Sequence, residues 1–381
     1  MLLTRAVDVV LLVVLGRDQV ALDVGQGFYL VEPTPADPGY FSVVTNWDGQ
    51  WYRTIAEEGY PSELPLSPTT GEVAQNPWAF YPALPLLARL VMTTGVPFGV
   101  AASTISLLAS TLALVLLYRL LAARGGRYVA LLTVAALSAS PTAAVLQTAY
   151  TEGLSLLLVV LALQALVARR YGALAVVAVA LALTRPVVLA LVPVILVHAY
   201  LRWRRDPTFG RRDAARIAGT VAVTGLSFGI WPLVAALRTG RADAYLATQQ
   251  AWILDDTPWQ TWGAQLLGAF GANAASGVAM VALLVAAIVL QPAARVWPTE
   301  VRAWVLAYGA YLLVTTRPTP SIARYCLLLL VVWWPFPTLG RTWHRAAQAA
   351  LLGAVLLVGA LAQYAWLEDS FLLTLRRIAY P

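Results

Sequence analysis

Between residues 45 and 60 the chain reads Thr45-Asn46-Trp47-Asp48-Gly49-Gln50-Trp51-Tyr52-Arg53-Thr54-Ile55-Ala56-Glu57-Glu58-Gly59-Tyr60. One carboxylate, Asp48, stands there beside Trp47, Trp51 and Tyr52. An acid among flat rings is the composition of a site that takes a proton from a hydroxyl while the rings stack on an apolar sugar face. It is also the composition of a helix start at an interface. Thr45-x-x-Asp48 fits a capping box, in which the acid satisfies free N–H groups of the first turn, and Trp and Tyr populate interfacial belts. At 3.6 residues per turn Trp47, Trp51 and Ile55 share a face, with Tyr52 and Ala56 beside it and Asp48 at its edge. The spacing predicts a short amphipathic helix on a membrane surface, stopped by Gly59 and Pro61.

Further chemistry-bearing residues are spread along the chain, each with a structural use of its own. Glu152 opens an apolar segment after Tyr150-Thr151; a carboxylate in a first helical turn is favoured by the helix dipole and can still reach water. Arg185 and Arg324 each stand at the end of an apolar segment with no acid beside them in sequence, and such an arginine either snorkels to the interface or binds an anion. Gln249, Gln250 and Trp252 combine amides, which read sugar hydroxyls, with an indole, which stacks on a sugar face; a surface amphipathic helix has the same pattern. The run Trp78-Ala79-Phe80-Tyr81-Pro82-Ala83-Leu84-Pro85 suits an interfacial anchor with helix-start prolines, or the wall of a cavity.

Composition bounds what these residues can belong to. Of 381 residues 60% are hydrophobic and 12% charged, with a mean hydropathy of +0.71, which excludes a soluble globular chain and points to a polytopic, all-α membrane protein. The single cysteine, Cys326, leaves no intramolecular disulfide and no Cys-based metal site, and His198 and His344 are too far apart in sequence to suggest a His cluster. Asp255 and Asp256 follow Trp252, but no further oxygen cluster accompanies them, so neither a metal nor a cofactor is expected. All 26 basic residues are arginine, and the net charge of +7 is that of basic loops on one membrane face, without nucleic-acid binding.

Apolar segments place spans near 2–20, 98–118, 128–146, 152–168, 172–184, 186–201, 217–237, 266–290, 303–316, 323–339 and 346–366, about eleven in one transmembrane unit over 1–381. The first is short in apolar residues. Pro186 splits the fifth and sixth into a broken pair, whose ends can line a cavity. A long loop, 21–97, separates the first two spans, and a second loop covers 238–265. With the first loop outside, 16 of the 26 arginines and only four of the 19 acids fall inside, the bias the positive-inside rule requires. Asp48, Tyr81, Tyr150, Glu152, Arg185, Gln249, Trp252, Arg324 and Tyr325 then all fall on the outer side. One-sided clustering predicts a single extracytoplasmic site.

The wording Trp47-Asp48-Gly49-x-Trp51-Tyr52-x-x-Ile55-Ala56-x-x-Gly59-Tyr60 resembles the first-loop motif of the PIG-V family, the second mannosyltransferase of GPI-anchor synthesis and its bacterial relatives, which are glycosyltransferases of the GT-C type. Five more segments resemble family elements in the expected order: Phe80-Tyr81-Pro82-x-x-Pro85, Tyr150-Thr151-Glu152, Thr184-Arg185-Pro186, Gln249-x-x-Trp252 and Arg324-Tyr325. The departures are the short first span and the rings Trp47 and Trp51-Tyr52, where eukaryotic members more often have Phe. The resemblance implies a bacterial plasma-membrane enzyme that takes mannose from a polyprenyl-phosphate donor and inverts the anomeric centre on an extracytoplasmic glycolipid or lipoglycan. Asp48 is then the general base, Arg185 and Arg324 the donor phosphate ligands, and Trp47, Trp51, Tyr52, Tyr81, Tyr150, Glu152, Gln249, Trp252 and Tyr325 the sugar and acceptor contacts. A lipid transporter or flippase stands as the alternative, although it calls for polar residues at mid-membrane and often an internal repeat; a scaffold without chemistry would need the acid and arginines only structurally.

Overall fold

The computed structural model describes residues 2–24, 30–252, 282–316 and 321–374. Among the described residues every regular element is helical, and pairing of extended backbone is confined to two isolated bridges, Leu22 with Thr34 and Leu66 with Val73. Four helices are long and apolar enough to cross a membrane: Phe98–Gly125, Pro186–Arg205, Arg211–Thr239 and Arg345–Phe371. At 1.5 Å per residue, twenty residues reach about 30 Å, the depth of a bilayer's hydrocarbon. Four shorter apolar helices stand beside them, Ala83–Met92, Arg127–Ser138, Glu152–Val167 and Tyr171–Ala182.

In chain order the helices are α1 (Leu2–Gly16), α2 (Tyr40–Val43), α3 (Asp48–Glu57), α4 (Ala83–Met92), α5 (Phe98–Gly125), α6 (Arg127–Ser138), α7 (Glu152–Val167), α8 (Tyr171–Ala182), α9 (Leu191–Arg205), α10 (Arg211–Ser227), α11 (Ile230–Thr239), α12 (Ala244–Gln250), α13 (Thr299–Thr315), α14 (Ile322–Tyr325) and α15 (Arg345–Trp366). The long loop 21–97 carries α2, α3 and α4. The predicted surface helix is α3, and it ends as expected, with Gly59 at φ 92° in the left-handed region where a Cβ would be strained.

The eleven predicted spans are not matched one for one. The segment 128–146 is helical only to Ser138, because Pro141 follows; a 3-10 turn, Ala143–Gln147, then carries the chain to α7. The segment 323–339 is not a span: one turn of α14 passes into a 3-10 turn, Cys326–Leu329, Leu330 takes φ 52°, and Pro335 and Pro337 prevent a restart. The seventh span begins at Arg211, ahead of the predicted 217, while 253–265 of the second loop and 266–281 of the eighth span lie outside the described residues. The break at Pro186 is present as α8, a 3-10 turn over Pro186–Ala190, and α9.

α5 is the spine that the site leans on. From Ala101 to Ala113 its buried residues are all small, Ala101, Ala102, Ser103, Ser106, Ala109, Ser110 and Ala113, before leucines take over, and small residues let neighbouring backbones approach closely. Two of its serines, one turn apart, donate to the irregular segment before α7: Ser106 Oγ to the Tyr150 carbonyl and Ser110 Oγ to the Leu146 carbonyl, both at 2.9 Å. Non-helical backbone inside a membrane protein needs such partners. Gly153 completes the approach, since a Cβ there would meet the Ser106 carbonyl oxygen at 2.6 Å.

Candidate active site

Asp48 is the first residue of α3, and the residue before it is unusual. Trp47 sits at φ 57°, a conformation that costs a non-glycine residue about 1–3 kcal/mol. It is pinned there: the ring is buried, and its indole N–H donates to the Phe371 carbonyl at 2.8 Å. The capping box does not form. Thr45 Oγ1 turns back to the Ser42 carbonyl at 2.7 Å, and the Asp48 carboxylate instead accepts from Arg324 Nη2 at 2.5 Å, across 276 residues of sequence.

Three loops are sewn together to make that pairing. Tyr150 Oη donates to the Asn46 carbonyl at 3.0 Å, the Ala149 N–H to the Val44 carbonyl at 2.9 Å, and Asn46 Nδ2 to Gln19 Oε1 at 2.8 Å. The Arg324 segment is held from α13, where Trp304 Nε1 donates to the Leu328 carbonyl at 2.7 Å and Tyr308 Oη to the Tyr325 carbonyl at 3.0 Å.

Glu152, fully buried at the start of α7, joins the two arginines. Arg324 Nη1 donates to Glu152 Oε1 at 3.0 Å. Arg185 Nη1 comes within 2.8 Å of the same oxygen, so the two arginines share one carboxylate oxygen of Glu152. Both guanidinium groups lie near the Tyr325 ring, Arg185 at 4.7 Å and Arg324 at 5.1 Å from its centre, and Tyr150 backs Arg324 at 5.0 Å; a desolvated cation over a ring is worth up to about 2 kcal/mol. The two arginines, which sequence left without a neighbouring acid, therefore neither snorkel nor stand free. Two carboxylates and two guanidiniums cancel, which is what makes burying four charges tolerable.

This cluster opens on a cavity of about 480 Å³, within the range of small-molecule sites. Asp48, Tyr52, Tyr81, Arg185, Gln249, Trp252 and Tyr325 border it, bringing together residues from five separate parts of the chain. Arg324 and Glu152 do not reach it; they lie behind Asp48 and Arg185 at 4% and 0% exposure. Trp47, Trp51 and Tyr150, expected as sugar contacts, are not on its wall either. Trp47 is committed to Phe371 and Tyr150 to Asn46. Trp51 stacks on Phe80 at 5.6 Å and meets Trp252 edge-on at 5.5 Å, so it supports the two rings that do face the cavity. Burial pushes the phenols of Tyr52 and Tyr81 well above their ordinary range, with the Asp48 charge adding to the effect at Tyr52 and Tyr245 at Tyr81. Both remain neutral hydroxyl groups.

Several wall residues carried no expectation. Tyr308, Tyr311 and Thr315 of α13 face the cavity, as do Tyr245, whose hydroxyl lies 2.9 Å from that of Tyr81, and Phe228 beyond α10. The available signal was the spacing i, i+3, i+7 of polar-tipped side chains in an otherwise apolar helix. Among the described residues no group of three or more His, Cys, Asp or Glu could hold a metal ion, and Asp255 and Asp256 lie outside them.

No protein-family model matches the chain, and no curated protein does. Among solved structures, the oligosaccharyltransferase of Archaeoglobus fulgidus, crystallised with Zn and sulfate, is similar at 14% identity and a TM-score of 0.44, over 95% of this chain and 53% of that one. The chain thus spans about half the length of that protein, and a likeness at this level fixes neither substrate nor chemistry. The resemblance to the PIG-V family rests on the six sequence motifs alone.

Proposed function

We propose that the chain is an integral membrane glycosyltransferase that moves a hexose, mannose by its motif resemblance, from a polyprenyl-phosphate donor to a glycolipid or lipoglycan acceptor on the extracytoplasmic side. The observation that carries this reading is the joint exposure of Asp48 and Arg185 on one cavity lined by aromatic rings and amides. Asp48 takes the acceptor hydroxyl proton as that oxygen attacks the anomeric carbon from the face opposite the leaving phosphate. The bond from the anomeric carbon to the phosphate oxygen breaks with inversion, and polyprenyl phosphate leaves carrying the electron pair.

Carboxylates are modest bases for an alcohol, so placement does most of the work. Arg324 holds Asp48 in position. Arg185, which has a place on the wall where Arg324 has none, is the phosphate ligand of the pair, with Glu152 holding its buried Nη1 from behind. Gln249, Trp252, Tyr52, Tyr81 and Tyr325 read the sugar in this proposal, supported by their places on the cavity wall.

Replacing Asp48 by Asn keeps the shape of the side chain and leaves Arg324 its bond to Glu152. With purified protein in bilayer discs, labelled lipid-linked mannose and a membrane lipid extract as acceptor, Asp48→Asn is expected to lower transfer by at least about 10²-fold while the unfolding temperature falls little. Transfer at the wild-type rate by Asp48→Asn overturns the reading, as does the absence of any transfer by the wild type from mannose, glucose and pentose donors alike.

A further inference from the structure

A second cavity, of about 460 Å³, lies at the opposite ends of α7 and α9. Glu152 and Arg185 stand where those helical segments start, Val167 and Arg205 where they finish, so the two cavities are separated by roughly 22–30 Å along the helices. The wall of the second is charged. Arg124 comes from the end of α5, Arg169 from the turn after α7, Arg202 and Arg205 from α9, with Asp206 and Glu300 among them.

The acids of this cavity are already taken. Arg202, 7% exposed, donates to Tyr171 at 2.9 Å, Asp206 at 3.1 Å and Asp213 at 3.2 Å, and its buried Nε has no partner. Arg169 pairs with Asp206 at 2.9 Å. Glu300 is held by His198 Nδ1 at 2.9 Å, and His198 Nε2 in turn meets the Tyr171 hydroxyl at 3.2 Å. Arg124 and Arg205 are different. Arg124 commits only its Nε, to the Arg295 carbonyl at 3.0 Å, and neither residue makes an ion pair among the described residues. Four arginines thus line the cavity with two carboxylates, Asp213 standing behind Arg202, and the two arginines outside any ion pair at contact distance, Arg124 and Arg205, are on its wall.

Basic loops on one face of a membrane protein account for arginines at these helix ends. They do not account for the convergence of four arginines from three separate parts of the chain on one polar cavity whose acids are bonded away. Guanidinium groups left with free N–H forks match phosphate oxygens, and ends of membrane-length helices lie at headgroup height. Val167 and Leu201 supply an apolar margin beside the charged wall. We propose that this cavity is a second ligand site, distinct from the Asp48 cavity, for a phosphate group of net negative charge such as an anionic phospholipid headgroup presents, with Arg124 and Arg205 as its ligands and the Arg202 network as the rigid floor.

The test uses the full chain in neutral detergent, with dioctanoyl phosphatidic acid, dioctanoyl phosphatidylcholine and inorganic phosphate as probes, read by thermal unfolding and native mass spectrometry. Phosphatidic acid is expected to raise the unfolding temperature by at least about 2 °C, and phosphatidylcholine to leave it unchanged. Arg124→Gln/Arg205→Gln is expected to unfold as the wild type without lipid and to bind phosphatidic acid about tenfold more weakly or worse, whereas Asp48→Asn responds as the wild type. An equal response to inorganic phosphate supports the site with a soluble phosphate as its occupant; a response to phosphatidic acid alone supports the lipid. No response to either anion, or undiminished binding by the double variant, overturns the proposal.

Discussion

Trp47 and Asp48 are neighbours with opposite fates: the carboxylate faces the cavity and the indole is buried against Phe371. The first is a candidate for chemistry; the second holds a backbone conformation that a non-glycine residue adopts only under constraint. Trp47→Phe removes the bond to the Phe371 carbonyl and keeps the ring. It is expected to lower stability by about 1 kcal/mol, seen in the unfolding temperature, with the KM for the sugar donor unchanged; a KM raised severalfold with stability intact would return Trp47 to the sugar contacts. Single residues were legible here because a carboxylate, an arginine or an amide stands out in an apolar chain. Their partners were not, since Asp48 with Arg324 and Glu152 with Arg324 are 276 and 172 residues apart. Nothing local encodes that pairing.

At the level of the elements, the close approach of α5 and α7 decides where Glu152 stands. Gly153 has the Ser106 carbonyl 2.6 Å and the Leu146 carbonyl 3.2 Å from where its Cβ would be, both backbone atoms that cannot swing aside. Gly153→Ala is therefore expected to cost about 1–3 kcal/mol and to move the carboxylate that links Arg185 and Arg324, so that stability and transfer fall together. Transfer unchanged at a lowered unfolding temperature would separate the helix contact from the site. The amphipathic helix α3, its glycine stop and the break at Pro186 could be read from period and punctuation. The loss of the span at 323–339 could have been inferred from Pro335 and Pro337; the ending of α6 at Ser138 depends also on the turn finding hydrogen bonds, as when Arg5 donates to the Ser138 carbonyl at 2.7 Å and the Ala143 carbonyl at 2.8 Å.

In the whole molecule the site exists only when α3, α7, the Arg185 turn and the Arg324 turn have assembled, because each charge is tolerable in the interior only beside the others. Glu152→Gln leaves two guanidinium groups with one carboxylate and is expected to cost about 3–5 kcal/mol, more than Asp48→Asn, since Asp48 keeps contact with the cavity. Combining them strips both arginines of carboxylates, and the loss should exceed the sum of the single losses by about 0.5–3 kcal/mol; strict additivity in thermal or denaturant unfolding would mean that the four groups do not act as a unit. The amino-acid sequence alone determined that this is a helical membrane chain, where its polar interruptions lie, and which residue types in them could move a proton or hold a phosphate, because hydropathy, helical period and proline act locally. Only the tertiary structure decided that Asp48 and Arg185 face the cavity while Trp47, Tyr150, Glu152 and Arg324 stand behind them. Orientation and charge pairing across hundreds of residues are set by which helices pack together, and in a chain this uniformly apolar that choice rests on small-residue contacts and a few buried hydrogen bonds.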